Sequence, residues 1–454
     1  MKTKLKLLYA ICFTAIVGCR TGDDLYLSPN DPADATLATM LTALEVNTIL
    51  NIEGDLARIS SILVQHTAGT TAQYTDNQNY RFTTGDWDNA WTGLYSGTMN
   101  NAKLLMNKAG NENPYYAGIA KVTMALNISI ATDLWGDVPY SEAFRIDEGI
   151  KTPKLDTQQE IYNSIDKLLE DAISDFQAPK EKNVFLPGAD DVIGQGNISK
   201  WTKAAYTLRA RFLNRTSGKV QGTEARVLEY LSKGITSNAD NLAAAHSNSG
   251  ASQNLWGAFK NQRAGYIVGN KVFVDRLVNK ADPRLKYFLI PNSEGNYVGG
   301  DIMKEVIAPN SATMGPFFEV DKSYPLVTYY EAKFIEAEVK QRQGSNASSV
   351  LNEAIKANVE YVTGGKESSA AVANYSSATK TDILTEKWVA MFCQGLESFN
   401  DYRRTGIPAL SPRPKSVGAQ FDMIPKRFPF SLTTTLYNPN AKNIPMDVPV
   451  WWGI

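Results

Sequence analysis

The chain is poor in the residues that most bond chemistry uses. Only two histidines, His66 and His246, occur in 454 residues. That excludes a histidine-rich metal centre, and neither has a serine or cysteine arrangement beside it that would make it a general base. Three cysteines, Cys12, Cys19 and Cys393, are too few for a disulfide framework. Charge is nearly balanced, with 46 basic and 47 acidic residues and a net charge of −1. A nucleic-acid binder needs a basic footprint that this composition does not supply. No apolar run reaches the roughly 20 residues of a membrane-spanning helix. Catalytic signatures are missing too. There is no G-x-S-x-G and no H-E-x-x-H, and Thr363-Gly364-Gly365-Lys366 has Glu360 where a phosphate loop needs its first glycine. Gly194-Gln195-Gly196 lacks a third glycine. No cofactor and no metal site is expected.

What is present begins at the N-terminus. Lys2, Lys4 and Lys6 precede the apolar run LLYAICFTAIVG. A positive start followed by a short apolar run reads as a secretory signal. An ordinary signal ends in A-x-A and carries no cysteine, whereas Ile16-Val17-Gly18-Cys19 resembles the bacterial lipobox, whose cysteine is acylated and becomes the mature N-terminus. Cys19 is therefore the expected lipidation site and membrane anchor. Acyl chains bury methylenes at roughly 0.8 kcal/mol apiece, so several on one residue hold firmly. Asp23 and Asp24 resemble the acidic signal that sends some lipoproteins to the outer face of the outer membrane. Removing residues 1–18 takes away three lysines and no acids, which leaves 436 residues with a net charge of −4. Residues 19–35 read as a lipidated tether and 36–454 as one α-rich domain. Cys393, beside Met391 and Phe392, reads as a buried, inert thiol.

Helical periodicity dominates the body. Ile119, Val122, Leu126 and Ile130 recur at three and four, as do Ile161, Ile165, Leu168, Ala172 and Phe176. The same habit predicts helices over 36–52, 55–66, 89–109, 199–216, 224–235, 328–343, 346–362 and 383–396. Gly344-Ser345 alone joins two of them, which is an αα-hairpin pattern. Hairpins in series predict a mostly α fold of stacked, TPR-like pairs, although no strict repeat appears in the letters. Between the helices run long irregular loops at 67–88, 179–198, 237–270, 291–325 and 405–454. Loops of this length in a folded domain are usually functional.

Two carboxylate pairs flank tryptophans, Asp86 and Asp88 around Trp87, and Asp133 and Asp137 around Trp135. A surface glycoside hydrolase would need such a pair. Capping and turn formation explain both pairs more simply. The aromatics point elsewhere. Sugar C–H faces pack on flat rings while amides, carboxylates and guanidinium groups bond the hydroxyls, so rings on loops are a binding signal. Trp91, Trp135, Trp201 and Trp388 fall in helical stretches and read as core. Tyr74, Tyr80 and Trp87 lie in the loop GTTAQYTDNQNYRFTTGDW, and Trp256, Phe259 and Tyr266 in NLWGAFKNQRAGY. These six are the candidate ligand-binding residues. Trp451-Trp452 reads as a pin that holds the tail on the body.

Several segments together carry a resemblance. Asp133 to Ala143, DLWGDVPYSEA, is similar to the hallmark of SusD/RagB-like proteins, outer-membrane nutrient-binding lipoproteins of Bacteroidota. Lys200-Trp201 with Leu208-Arg209-Ala210-Arg211, Asp282-Pro283-Arg284-Leu285, Tyr330 to Glu338, Ile383 to Trp388, Arg403 to Pro408 and Ile424 to Pro429 resemble further family segments in the family's order. Tyr206-Thr207 departs from the usual Asn-Ser before the Leu-Arg pair, and no Glu occurs in Phe430-Ser431-Leu432-Thr433. The resemblance implies a SusD-like helical fold and a lipoprotein that captures an oligosaccharide and delivers it to a SusC-like TonB-dependent outer-membrane barrel, without bond chemistry. It leaves open capture of peptides, as on the RagB side of the family, and an adaptor role for the TPR-like array. The motifs themselves read as structural: Arg209, Arg211, Arg403 and Arg404 can grip carboxylates or carbonyls bidentately and fix the loops.

Overall fold

A computed structural model describes residues 35–392 and 394–454. The expected signal over 1–18, the lipidation site Cys19, nearly all of the tether and the thiol of Cys393 lie outside the described residues. No described helix is long and apolar enough to cross a membrane.

The body is a stack of helices packed side by side. Helix Pro114–Trp135 starts with proline in its first turn and is buried over most of its length. It packs between Asn100–Ala109 and Gln158–Phe176, and the stack continues through Ile198–Arg215, Glu224–Lys233 and Tyr329–Arg342. Tyr329–Arg342 turns at Gly344 into Ser348–Thr363, the expected hairpin, through a link over 343–347 that is longer than Gly344-Ser345 alone. A capping box of Thr157 and Glu160 sets the start of Gln158–Phe176. Among the described residues, strand is confined to short antiparallel pairs: Thr67–Gly69 with Ile267–Gly269, Leu242–Ala244 with Tyr324–Val327, and Leu289–Ile290 with Thr313–Met314. The first pair ties the 67–88 loop to the 237–270 loop, and the third closes the start of the 291–325 loop onto its interior.

Two helices differ from the sequence expectation. The stretch 89–109 is interrupted by a π-helical segment, Gly93–Met99. The stretch 383–396 is two helices, Lys380–Ala390 and Gly395–Thr405. Gln394 sits in the break and donates its side-chain amide to the Pro325 carbonyl at 2.8 Å.

The family-like motifs hold the stack together. Asp133 is fully inside the protein. It accepts hydrogen bonds from Tyr162 at 2.5 Å, Asn400 at 3.0 Å and the Trp452 indole at 3.1 Å, and pairs with Arg215. Arg403 donates to the Asp133 carbonyl at 2.6 Å. Arg404 grips Glu338 with two bonds of 2.6 Å, and Arg209 grips Asp166 at 2.7 and 3.0 Å. Arg284 folds back on Asp282 of the same motif and also reaches Asn358 at 2.8 Å. Asp133 is thus a structural hub. Asp137 accepts the Gln158 N–H at the start of the next helix, and Asp86 completes a capping box with Thr83. The carboxylates beside the tryptophans are occupied as caps and ties. Trp452 is buried against this hub, as a pinned tail requires.

Candidate ligand-binding site

The Thr67–Gly69 and Ile267–Gly269 strands pair in register and so bring both aromatic loops of the sequence reading to one place. The short helix Gln73–Gln78 follows the first strand, and Leu255–Gln262 precedes the second. Asn254 caps the latter by accepting from the Trp256 and Gly257 N–H groups. Tyr74 then meets Phe259 edge-to-face with centroids 5.3 Å apart, and Phe259 meets Tyr266 at 6.5 Å. Arg58 lies 4.7 Å over the Phe259 ring, and Arg263 lies 5.9 Å over Tyr266. Phe259 and Tyr266 are half-buried and keep part of each ring in solvent.

The other four rings are placed differently. Tyr74, Tyr80, Trp87 and Trp256 are all within the core, none more than 1% exposed. Trp87 stacks on Phe428 at 4.0 Å, and Trp256 packs on Phe318 at 5.5 Å. The Tyr80 hydroxyl accepts the Arg413 N–H at 3.0 Å. Burial pushes the Tyr74 and Tyr80 hydroxyls up to about 12, so both stay neutral donors or acceptors at ordinary pH. These four candidates present no ring face to solvent. The loops are long enough to fold back, and a large ring gains more by leaving water than by facing it.

Next to the exposed rings lies a cleft that the sequence reading missed. It has a volume of about 240 Å³. One wall is the junction of helices Leu37–Glu53 and Asp55–Leu63. The other is the Thr84–Trp87 turn and the Asp88–Thr92 helix. Asn47, Leu50, Asp55, Asp86 and Asn89 line it, with Trp87 as floor. Asp55 joins the cleft to the ring cluster. Its side chain is 72% exposed while it accepts from Arg58 at 2.7 Å and from Tyr74 at 3.0 Å. Burial opposes the charge of Arg58, but Tyr74 and Asp55 hold its pKa above the usual value. The Asp55 carboxylate is therefore fixed in direction and free on its outer side. The cleft is smaller than the ~300–1,000 Å³ of pockets that engulf a drug-sized ligand. It suits one unit of a longer chain lying across the surface. Asn47 and Asp55 escaped the sequence reading because they sit on amphipathic helices, where polar residues look like a solvated face. Asp86 reads as a cap and is one, and the same short turn also places it and Asn89 at the cleft.

Beside this geometry stand the relatives. The profile of a family described as SusD-like, starch-binding and associating with the outer membrane, matches residues 29–431. The chain belongs to the SusD-like family. A SusD/RagB family protein from Bacteroides thetaiotaomicron VPI-5482 shares the fold with a TM-score of 0.76 and 22% identity, covering 93% of this chain and 100% of that one. A chitin-binding SusD homologue from Flavobacterium johnsoniae gives 0.78 at 19% identity over 91% and 98%. A further chitin-binding protein gives 0.80 at 23% identity over 92% and 100%. No curated protein matches the chain. The mostly helical stack expected from the hairpins, and the SusD-like fold that the resemblance implies, are the fold observed. At these identities the neighbours establish the fold and assign no ligand contacts in this chain.

Proposed function

We propose that the protein is a cell-surface lipoprotein that captures an oligosaccharide and passes it to a SusC-like TonB-dependent barrel. No bond is made or broken by it. Residues 1–18 are the secretory signal, Cys19 carries the lipid, 19–35 form the tether and 36–454 the binding domain. The observation that carries this reading is the meeting, on a SusD-like body, of two half-exposed rings with a cleft lined by amides and carboxylates. Phe259 and Tyr266 offer faces for sugar C–H groups. Asp55, Asn47, Asp86 and Asn89 offer acceptors and donors for hydroxyls. Tyr74, Tyr80, Trp87 and Trp256 serve the site from within, by holding the loops that shape it. The family description and the chitin-binding neighbours support a glycan as the ligand class.

Peptide capture is the second reading. It is favoured by the polar lining of the cleft, since amide and carboxylate groups pair with peptide N–H and C=O groups as readily as with hydroxyls.

Deleting the lipoprotein while keeping its barrel tests capture and delivery together. Growth on the captured nutrient should fall at limiting concentration and recover when the nutrient is abundant. Equal growth of the two strains at limiting concentration contradicts the proposal.

A further inference from the structure

Three consecutive apolar residues project from the surface beside the point where the described chain begins. Val184, Phe185 and Leu186 are 64%, 61% and 42% exposed. Their backbone is tied down on both sides. Val184 donates its N–H to the Glu112 carbonyl at 3.0 Å, and Phe185 donates to Asn113 Oδ1 at 2.7 Å. Asn183 accepts the Tyr115 N–H at 2.9 Å. Beyond the tip, Pro187 is buried, and Gly188 donates to Asp190 Oδ1 at 2.8 Å. Tyr116 donates to the other oxygen of Asp190 at 2.8 Å. The fixed backbone thus holds three apolar side chains in water, an arrangement that marks an interaction surface.

Its position identifies the partner. Phe185 shares an apolar recess of about 300 Å³ with Ala35, Thr36, Leu37 and Tyr116. Ala35 is the first described residue, so the chain that comes from Cys19 enters the body beside Phe185. At full extension residues 19–34 span at most about 55 Å. The anchor therefore keeps this corner of the body within that distance of the bilayer. Lys180 and Lys182 are exposed just before the tip, and Lys108 lines the recess. Lysines at that depth suit the phosphates of lipid headgroups, their stems lying against apolar surface.

From this placement we infer that Val184, Phe185 and Leu186 insert into the lipid surface of the outer membrane and fix the orientation of the anchored body. The inference rests on the lipid at Cys19 assigned under the proposed function. A ligand site on a body of fixed orientation faces its barrel more often than one on a body that tumbles on its tether.

The lipoprotein carrying Phe185→Cys in a Cys393→Ser background, labelled with the environment-sensitive dye NBD, tests this in vesicles of phosphatidylethanolamine and phosphatidylglycerol. Ser345→Cys, in the exposed turn between two helices, is the control. NBD emission at position 185 should rise and shift to the blue while position 345 stays water-like. Water-like emission at 185, in protein whose mass shows lipid at Cys19, overturns the inference and leaves the anchor standing. Protein without lipid at Cys19 overturns the anchor and the inference together. A rise only when the barrel is co-reconstituted overturns the lipid partner and gives the patch to the barrel. Should Cys393→Ser fail to fold, Phe185→Trp in the otherwise native protein reads the same contact. Brominated lipid should then quench its added fluorescence, and equal emission in brominated and plain lipid overturns the inference.

Discussion

Replacing Trp87 or Trp256 with alanine removes a ring that touches no solvent, and each change should cost about 3–5 kcal/mol of stability. Phe259→Ala and Tyr266→Ala remove half-exposed rings. They should lower stability much less and weaken glycan binding about tenfold, a factor of 1.4 kcal/mol. Thermal unfolding and calorimetric titration of the four variants separate the two groups. If Trp256→Ala unfolds like the wild type but loses the ligand, the division of labour is wrong. His66 supplies a second test at this scale. Its ring lies between Trp388, Phe273 and Phe392 and donates Nε2–H to the Trp388 carbonyl at 2.8 Å. Burial lowers its pKa from 6.5 to about 3. The unfolded chain then binds a proton that the folded one refuses. His66 therefore withdraws stability as pH falls from 6.5 toward 3, by about 1.4 kcal/mol per unit. His246 acts oppositely, because Glu53 raises its pKa over the cost of burial. Its contribution is full below 6.5 and is lost as pH rises through the raised value. In His66→Gln, which keeps a donor for the carbonyl, the fall in melting temperature between pH 6.5 and 5 should be shallower than in the wild type. Parallel curves would rule out this source of acid lability.

Among the elements, the gap between Lys380–Ala390 and Gly395–Thr405 shows what local pattern leaves unwritten. Apolar spacing runs through the gap, yet the chain breaks there, and Gly395, which opens the second helix, packs against helix Asp55–Leu63. A Cβ at Gly395 would come 2.4 Å from the Ala57 carbonyl oxygen and as close to the Ser61 hydroxyl. Gly395→Ala must push the two helices apart and should cost about 1–3 kcal/mol. An unchanged melting temperature would show that the contact is looser than described. Helices with a long apolar stripe were legible, as in Gln158–Phe176, where Ile161, Ile165, Ala172 and Phe176 of the stripe are buried. The strand pairs were not. Two to four residues carry no alternation to read, and their pairing is set by residues some 25 to 200 positions away. The candidate site was legible in part for the same reason. Phe259 and Tyr266 stood in loops as rings, but only the pairing of Thr67–Gly69 with Ile267–Gly269 brings Tyr74 and Asp55 to them.

Across the whole molecule, Asp133 connects four helices and the C-terminal tail. Asp133→Asn leaves Arg215 and Arg403 buried with less compensation and should cost about 3–5 kcal/mol. Because the hub ties helix Pro114–Trp135 to the C-terminal tail, residues 36–454 should unfold in one transition. Two separate calorimetric transitions would divide the domain. At this scale the central claim is capture without chemistry. The most direct test is calorimetric titration of the soluble protein that starts after Cys19 against a panel of starch and chitin oligomers and a peptide digest, with the solutions then analysed for cleavage products. The account predicts binding of one glycan class, no products, and binding lost in the Phe259→Ala/Tyr266→Ala double variant of unchanged melting temperature. Products that vanish when Asp86 or Asp55 is neutralised, or retention of peptides alone, would contradict it.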